Sequence, residues 1–185
     1  MLTSRRVNCY ILIGGRSRRM GQSKATLFLD RIAAAARPLF DEVIAVQRAG
    51  GEMVNLPTIF EAPHEHDGAI YGIARALDDA RGRCFILAVD YPNITTEMLE
   101  LVRNDGRIPM WNGEPQPLCA IWDFGLRERI ARRIENNRRD VRGLIAEAGL
   151  EMIPEPVLRA RFPGEPLANV NTPEEREEAE RHGSR

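Results

Sequence analysis

Lysine is almost absent from this chain. Of its 26 basic residues, 25 are Arg and one, Lys24, is Lys. Cysteine is also scarce. Cys9, Cys84 and Cys119 lie far apart in apolar surroundings, which suits packed thiols in a reducing compartment better than disulfides or metal ligands. No apolar run approaches the roughly 18 residues of a membrane helix, so no span is expected. The run Cys9 to Ile13 ends in two glycines and is too short for a signal-peptide core, and it reads as a buried strand. Charge of either sign is not in excess: the net value is −1, which gives no general attraction to nucleic acid or an anionic membrane. What is present is ordinary globular composition, 43% hydrophobic and 29% charged residues. A length of 185 residues favours one domain, 1–185, that buries roughly 70% of its unfolded surface. A cytoplasmic protein with neither nucleic acid nor membrane as partner is expected.

Apolar runs alternate with helical patterns. Val7–Ile13, Glu42–Gln47, Thr58–Phe60 and Cys84–Val89 read as strands, the last continuous enough to be covered on both faces. Helical periodicity covers Ala25–Leu29 or Ile32–Ala36, and Ala69–Ala80. It continues from Thr95, a candidate N-cap, to about Arg103, and through the Arg-rich Gly125–Asn136. Met110–Trp111 and Leu118–Trp122 add strands. Thr172, Pro173 and Glu175 spell a capped helix start. The alternation predicts an α/β fold, a three-layer sandwich with a Rossmann-like, mostly parallel sheet.

Two stretches invite functional readings that their neighbours weaken. Arg127 to Arg142 is interleaved with Glu128, Glu135 and Asp140 and has no aromatic platform, so a solvated helix face is expected rather than a nucleic-acid patch. His64-Glu65-His66 lacks further ligands at metal-site spacing and reads as a surface loop.

The segment Ile11 to Lys24, ILIGGRSRRMGQSK, carries more. A strand ends in Gly14-Gly15, which lets the backbone turn tightly and present bare N–H groups. Arg16, Ser17, Arg18 and Arg19 follow, then Gly21 and the single lysine. Such a loop suits anionic oxygens. It is neither a Walker A loop nor a dinucleotide fingerprint. Coding bias would explain one surviving lysine, but a compact ammonium on phosphate is a task Arg does not duplicate. Asp90 leaves the carboxyl end of the most apolar strand, where open α/β sheets bind ligands, and an oxygen donor there suits Mg²⁺ bound jointly with phosphates.

GGRSRRMGxxK, Asp90-Tyr91-Pro92, Pro115 to Ala120 (PQPLCA) and Asn169 to Pro173 (NVNTP) occur in one order over nearly the whole chain. Together they resemble the MobA-like nucleotidyltransferases, the molybdenum cofactor guanylyltransferases. The resemblance implies a transferase that joins GMP from GTP to molybdopterin with Mg²⁺ as cofactor and releases pyrophosphate. It implies that Leu12, Ile13, Gly14, Gly15, Lys24, Glu61 and Asp90 border the nucleotide. Asp90 binds the metal with Asn171 as a further candidate, and Lys24, Arg19 and Asp90 serve catalysis. Molybdoenzymes or their chaperones are the implied recipients. The sequence departs from the family pattern in placing Ile13 where Ala is usual and Ser23 where an acid is usual, and in a shortened stretch between Asp30 and Arg37. The polar residue expected near Ala45 is also missing, with Gln47 the nearest amide. Alternatives are a cytidylyl or other small-molecule nucleotidyltransferase of the same fold, and a non-catalytic nucleotide-binding accessory protein.

Overall fold

The computed structural model describes residues 7–13 and 24–168, and for 24–27 the backbone only. Strand β1 (Cys9–Leu12) lies between β2 (Val43–Gln47) and β4 (Arg83–Ala88), parallel to both, and β3 (Thr58–Phe60) extends the sheet beyond β2. One antiparallel strand, β7 (Cys119–Asp123), closes the other side, giving the order β3-β2-β1-β4-β7. The sheet is therefore mostly parallel, as the alternation predicts.

Period-two alternation in the central strands divides the core. Cys9, Ile11, Phe85 and Leu87 point to one face, where α1 (Lys24–Ala36) and α3 (Thr96–Asp105) cover them with Phe28, Ile32, Met98 and Leu99. Tyr10, Leu12, Cys84 and Ile86 point to the other, under Ile70, Ile73 and Leu77 of α2 (Ala69–Ala80). Each fully buried Ile, Leu or Phe contributes about 1.5–3 kcal/mol, so β4, apolar and buried from Cys84 to Ala88, can only be a central strand. Thr95 caps α3 by accepting from the Met98 amide, as expected, and Thr96 Oγ1 donates to Ala35 O (2.9 Å), tying α3 to α1.

The three cysteines are buried free thiols. Burial pushes the Cys84 thiol up to about 12, with Asp123 adding to the shift, so it stays neutral at physiological pH.

Several elements differ from the sequence reading. The first strand is shorter, Cys9–Leu12, and the helix after the glycine loop is a single one from Lys24 to Ala36. The strand at Met110–Trp111 begins at Ile108, forming β5 (Ile108–Trp111). It pairs with β6 (Glu114–Pro115) and β8 (Met152–Ile153) in a separate small sheet. Asn112 and Gly113 both have positive φ, the signature of a tight hairpin turn between β5 and β6. The stretch Gly125–Asn136 is a 3₁₀ turn over Phe124–Leu126 followed by α4 (Arg127–Glu135). Beyond it lie α5 (Val141–Ala148) and α6 (Glu155–Arg161). The helix start at Thr172 lies outside the described residues.

The Arg-rich stretch is not simply a solvated face. Arg133 is buried, donating from Nη2 to Asp140 O (2.9 Å) and Oδ1 (2.7 Å), with Nη1 2.8 Å from Glu147 Oε2. It staples α4 to α5. Arg127 forks onto Asp78 of α2 with two 2.8 Å bonds, and these hold the Asp78 carboxyl below its ordinary range.

Candidate active site

In the order β3-β2-β1-β4 the chain moves outward from β1 to β3 and then crosses back to the opposite side of β1. The switch point falls between the carboxyl ends of β1 and β4, where open α/β sheets bind ligands. Backbone bonds continue past the strands there. Ile13 N donates to Val46 O (2.8 Å), Val89 N to Leu12 O (3.3 Å) and Glu61 N to Gln47 O (2.9 Å). Leu12, Ile13, Glu61 and Asp90 therefore sit along one sheet edge. Helix α1 begins at Lys24, directly after the glycine loop, so the start of a 13-residue helix belongs to the connection leaving this edge. Gly14, Gly15, Arg19 and Asn171 lie outside the described residues, as does the side chain of Lys24.

Leu12 and Ile13 face opposite ways. Ile13 packs against the core under α1 and α3, so its extra bulk relative to Ala is absorbed by that layer. Leu12 packs toward α2, and a Cβ on Gly72 would meet its two methyls at 3.0 and 3.2 Å and Glu61 Oε1 at 3.1 Å. A glycine inside a helix costs about 1 kcal/mol. At Gly72 it lets α2 approach the end of β1 and the Glu61 carboxylate.

Asp90 occupies the turn after β4, half-buried. Its neighbour Tyr91 is buried and donates its hydroxyl to Gln116 Oε1 (3.0 Å), while Gln116 Nε2 donates to the carbonyls of Trp111 and Glu114 (both 3.1 Å). The Asp90 turn is thus anchored to the chain before β7. Burial, with Cys119 and Asp90 nearby, pushes the Tyr91 hydroxyl far above its ordinary value, keeping it a neutral donor. Tyr91→Phe is expected to destabilise by about 1–3 kcal/mol, because Gln116 Oε1 loses its buried donor. Thermal unfolding checks this, and turnover should fall with it as the Asp90 turn loosens.

Glu61 is the second carboxylate at the edge, its side chain 8% exposed. His64 Nε2 lies 2.7 Å from Glu61 Oε2, and Arg48 Nε lies 3.8 Å from the same oxygen. The expectation of a plain surface loop at His64-Glu65-His66 is corrected here. His64 turns inward and stacks on Tyr71 at 3.7 Å, because the carboxylate and the ring together offer it more than water does. Arg48, His64 and Gly72 were not singled out by sequence reasoning as site residues, and Tyr91 and Gln116 entered it only as members of the motifs Asp90-Tyr91-Pro92 and Pro115 to Ala120. The glutamine between two prolines was the available signal for Gln116.

An ion that prefers oxygen ligands and keeps waters, as Mg²⁺ does, needs only one or two carboxylates beside substrate phosphates. Asp90 supplies such an oxygen donor at the sheet edge, and no group of three or more His, Cys, Asp or Glu gathers among the described residues. The donor set fits an ion shared with a phosphate ligand. Among the described residues no helix is long and apolar enough to cross a membrane.

The MobA-like NTP transferase domain family matches residues 9–152, from the first residue of β1 into β8. The chain belongs to this family. It is an enzyme of the nucleotidyltransferase class. A Bacillus cereus protein named "Probable molybdenum cofactor guanylyltransferase" is 25% identical over 190 residues, covering 92% of this chain and 94% of that protein. The structure of molybdopterin-guanine dinucleotide biosynthesis protein A from Archaeoglobus fulgidus superposes with a TM-score of 0.79. It is 24% identical and covers 96% of this chain and 99% of that one. The 2-C-methyl-D-erythritol 4-phosphate cytidylyltransferase of Thermus thermophilus shares the fold at a TM-score of 0.64 and 18% identity, with 96% and 98% covered. Family and fold thus agree with the architecture of the edge.

Proposed function

We propose that this MobA-like transferase moves GMP from GTP to molybdopterin, releases pyrophosphate, and uses Mg²⁺ as its cofactor. The observation that carries the reading is the sheet edge itself. Glu61 follows β3 and Asp90 follows β4, three strand spacings away, or about 14 Å, a span on the scale of an extended nucleoside triphosphate. The names of the relatives support the choice of nucleotide and acceptor.

In this reading the base lies on the Glu61 side, over Leu12, and the phosphates lie toward Gly14, Gly15 and the start of α1. The terminal phosphate oxygen of molybdopterin attacks the α-phosphorus in line, the bond to the β-phosphate oxygen breaks, and pyrophosphate leaves. Bound Mg²⁺ would neutralise phosphate charge, held by Asp90 with Asn171 as a further ligand. Lys24 and Arg19 hold the phosphate oxygens and offset the charge that builds on the leaving group. No covalent nucleophile is required, since positioning and neutralisation supply the rate. The dinucleotide product passes to molybdoenzymes or their chaperones.

Equilibrium binding of GTP, CTP and ATP, each with and without Mg²⁺, tests the nucleotide half of this reading. Mg²⁺-dependent preference for GTP is expected. Preference for CTP would move the enzyme to the cytidylyl branch of the fold, and binding of no nucleotide would remove the reading.

A further inference from the structure

The loop after β3 holds a second arrangement that nucleotidyl transfer as such does not require. Glu61 carries a carboxylate out of water, and a buried charge needs a partner to remain there. Arg48 Nε, 3.8 Å from Oε2, supplies the opposite charge, and His64 supplies the close hydrogen bond. An ionised carboxylate only accepts, so His64 Nε2 is the donor across the 2.7 Å contact. The imidazole is itself held. Its face lies on Tyr71 at 3.7 Å with an interplanar angle of 7°, and its Nδ1, the acceptor nitrogen when Nε2 carries the proton, lies 3.2 Å from the donor Arg48 Nη2. Arg48 Nη2 straps the same loop, donating to Asp67 Oδ1 at 3.1 Å. The result is a carboxylate whose Oε2 is fixed by a clamped ring while Oε1 faces the close approach of Gly72 and Leu12.

We propose that His64 is the positioning residue of the base subsite, and that it orients Glu61 to select guanine. This rests on the reading that a nucleotide binds along this sheet edge. Guanine presents two adjacent N–H donors, N1 and N2, to a carboxylate that accepts both. Adenine has an acceptor at N1, and cytosine sets the acceptor N3 beside its amino group. A carboxylate free to rotate would lose this discrimination, while one locked by His64 keeps it.

Two substitutions separate hydrogen bonding from packing. His64→Gln keeps an N–H donor but loses the ring, whereas His64→Phe keeps the stack on Tyr71 but loses the donor. The measurement is the Kd of GTP and of ATP, with Mg²⁺, for the wild type and both variants. Expected is GTP binding by His64→Phe weakened about tenfold, the scale of one lost hydrogen bond to a charged group. ATP binding should stay within about threefold, and His64→Gln should retain the wild-type preference. Should His64→Phe fail to fold, His64→Leu is read in the same way. The proposal is overturned if the apolar variants keep the wild-type preference, if GTP and ATP weaken equally, or if only His64→Gln suffers, which would mark a packing role. In those cases wild-type GTP binding leaves the proposed function standing. Failure of the wild type to prefer GTP removes both.

Discussion

Asp90→Ala is expected to lower GMP transfer by at least about 10³-fold, the scale on which removal of a group neutralising transition-state charge is felt. Asp90 is reached by the chain through β4, whose residues Phe85, Ile86 and Leu87 are fully buried, so its backbone is set by the rigid centre of the sheet. The Tyr91–Gln116 bond pins the turn from the other side. Removing the carboxylate leaves both of these anchors in place. Asp90→Asn, which keeps the shape and removes the charge, should be nearly as inactive. A pyrophosphate-release assay on protein shown by a thermal melt to be folded checks this: turnover collapses in both variants. An Asp90→Ala protein with wild-type turnover would remove the carboxylate from the reaction.

Lys24→Ala should cost about 10²–10³-fold in turnover, and Lys24→Arg should fail to restore it fully. Lys24 is the first residue of α1 and follows the glycine loop in the sequence, which puts its backbone at the end of the helix that carries positive potential. The guanidinium is longer and planar, and prefers two-point contacts where the lysine offers a compact charge. Rates measured at saturating nucleotide separate lost chemistry from lost binding. Near-normal turnover in Lys24→Ala would mean that the single lysine of the chain has no part in the reaction.

Much of the positioning was legible in the sequence because it depends on local pattern. Continuous apolar character marked β4, the spacing of Ile70, Ile73 and Leu77 marked α2, and Thr95 marked the start of α3. Asp90 could be placed at a strand end for the same reason. The direction of β7 was not legible, since an apolar run is the same read either way. Neither was the small sheet, in which β6 and β8 have two residues each and are fixed by tertiary pairing rather than by period. Arg133 shows the limit of composition: its neighbours in sequence suggest a solvated helix, and only the return of α5 buries it between Asp140 and Glu147. His64 shows the same at the site. In the sequence it reads as one half of a His-Glu-His loop, and only the fold brings it to Glu61 and Tyr71.

The most direct test of the account is a transfer assay in which purified enzyme, GTP labelled at the α-phosphate, molybdopterin and Mg²⁺ are mixed, and labelled dinucleotide and pyrophosphate are measured together. The account predicts that both form in equal amounts, that CTP and ATP substitute poorly, and that chelation of Mg²⁺ stops the reaction. Absence of labelled dinucleotide with every nucleotide, in a preparation that binds GTP, would contradict it.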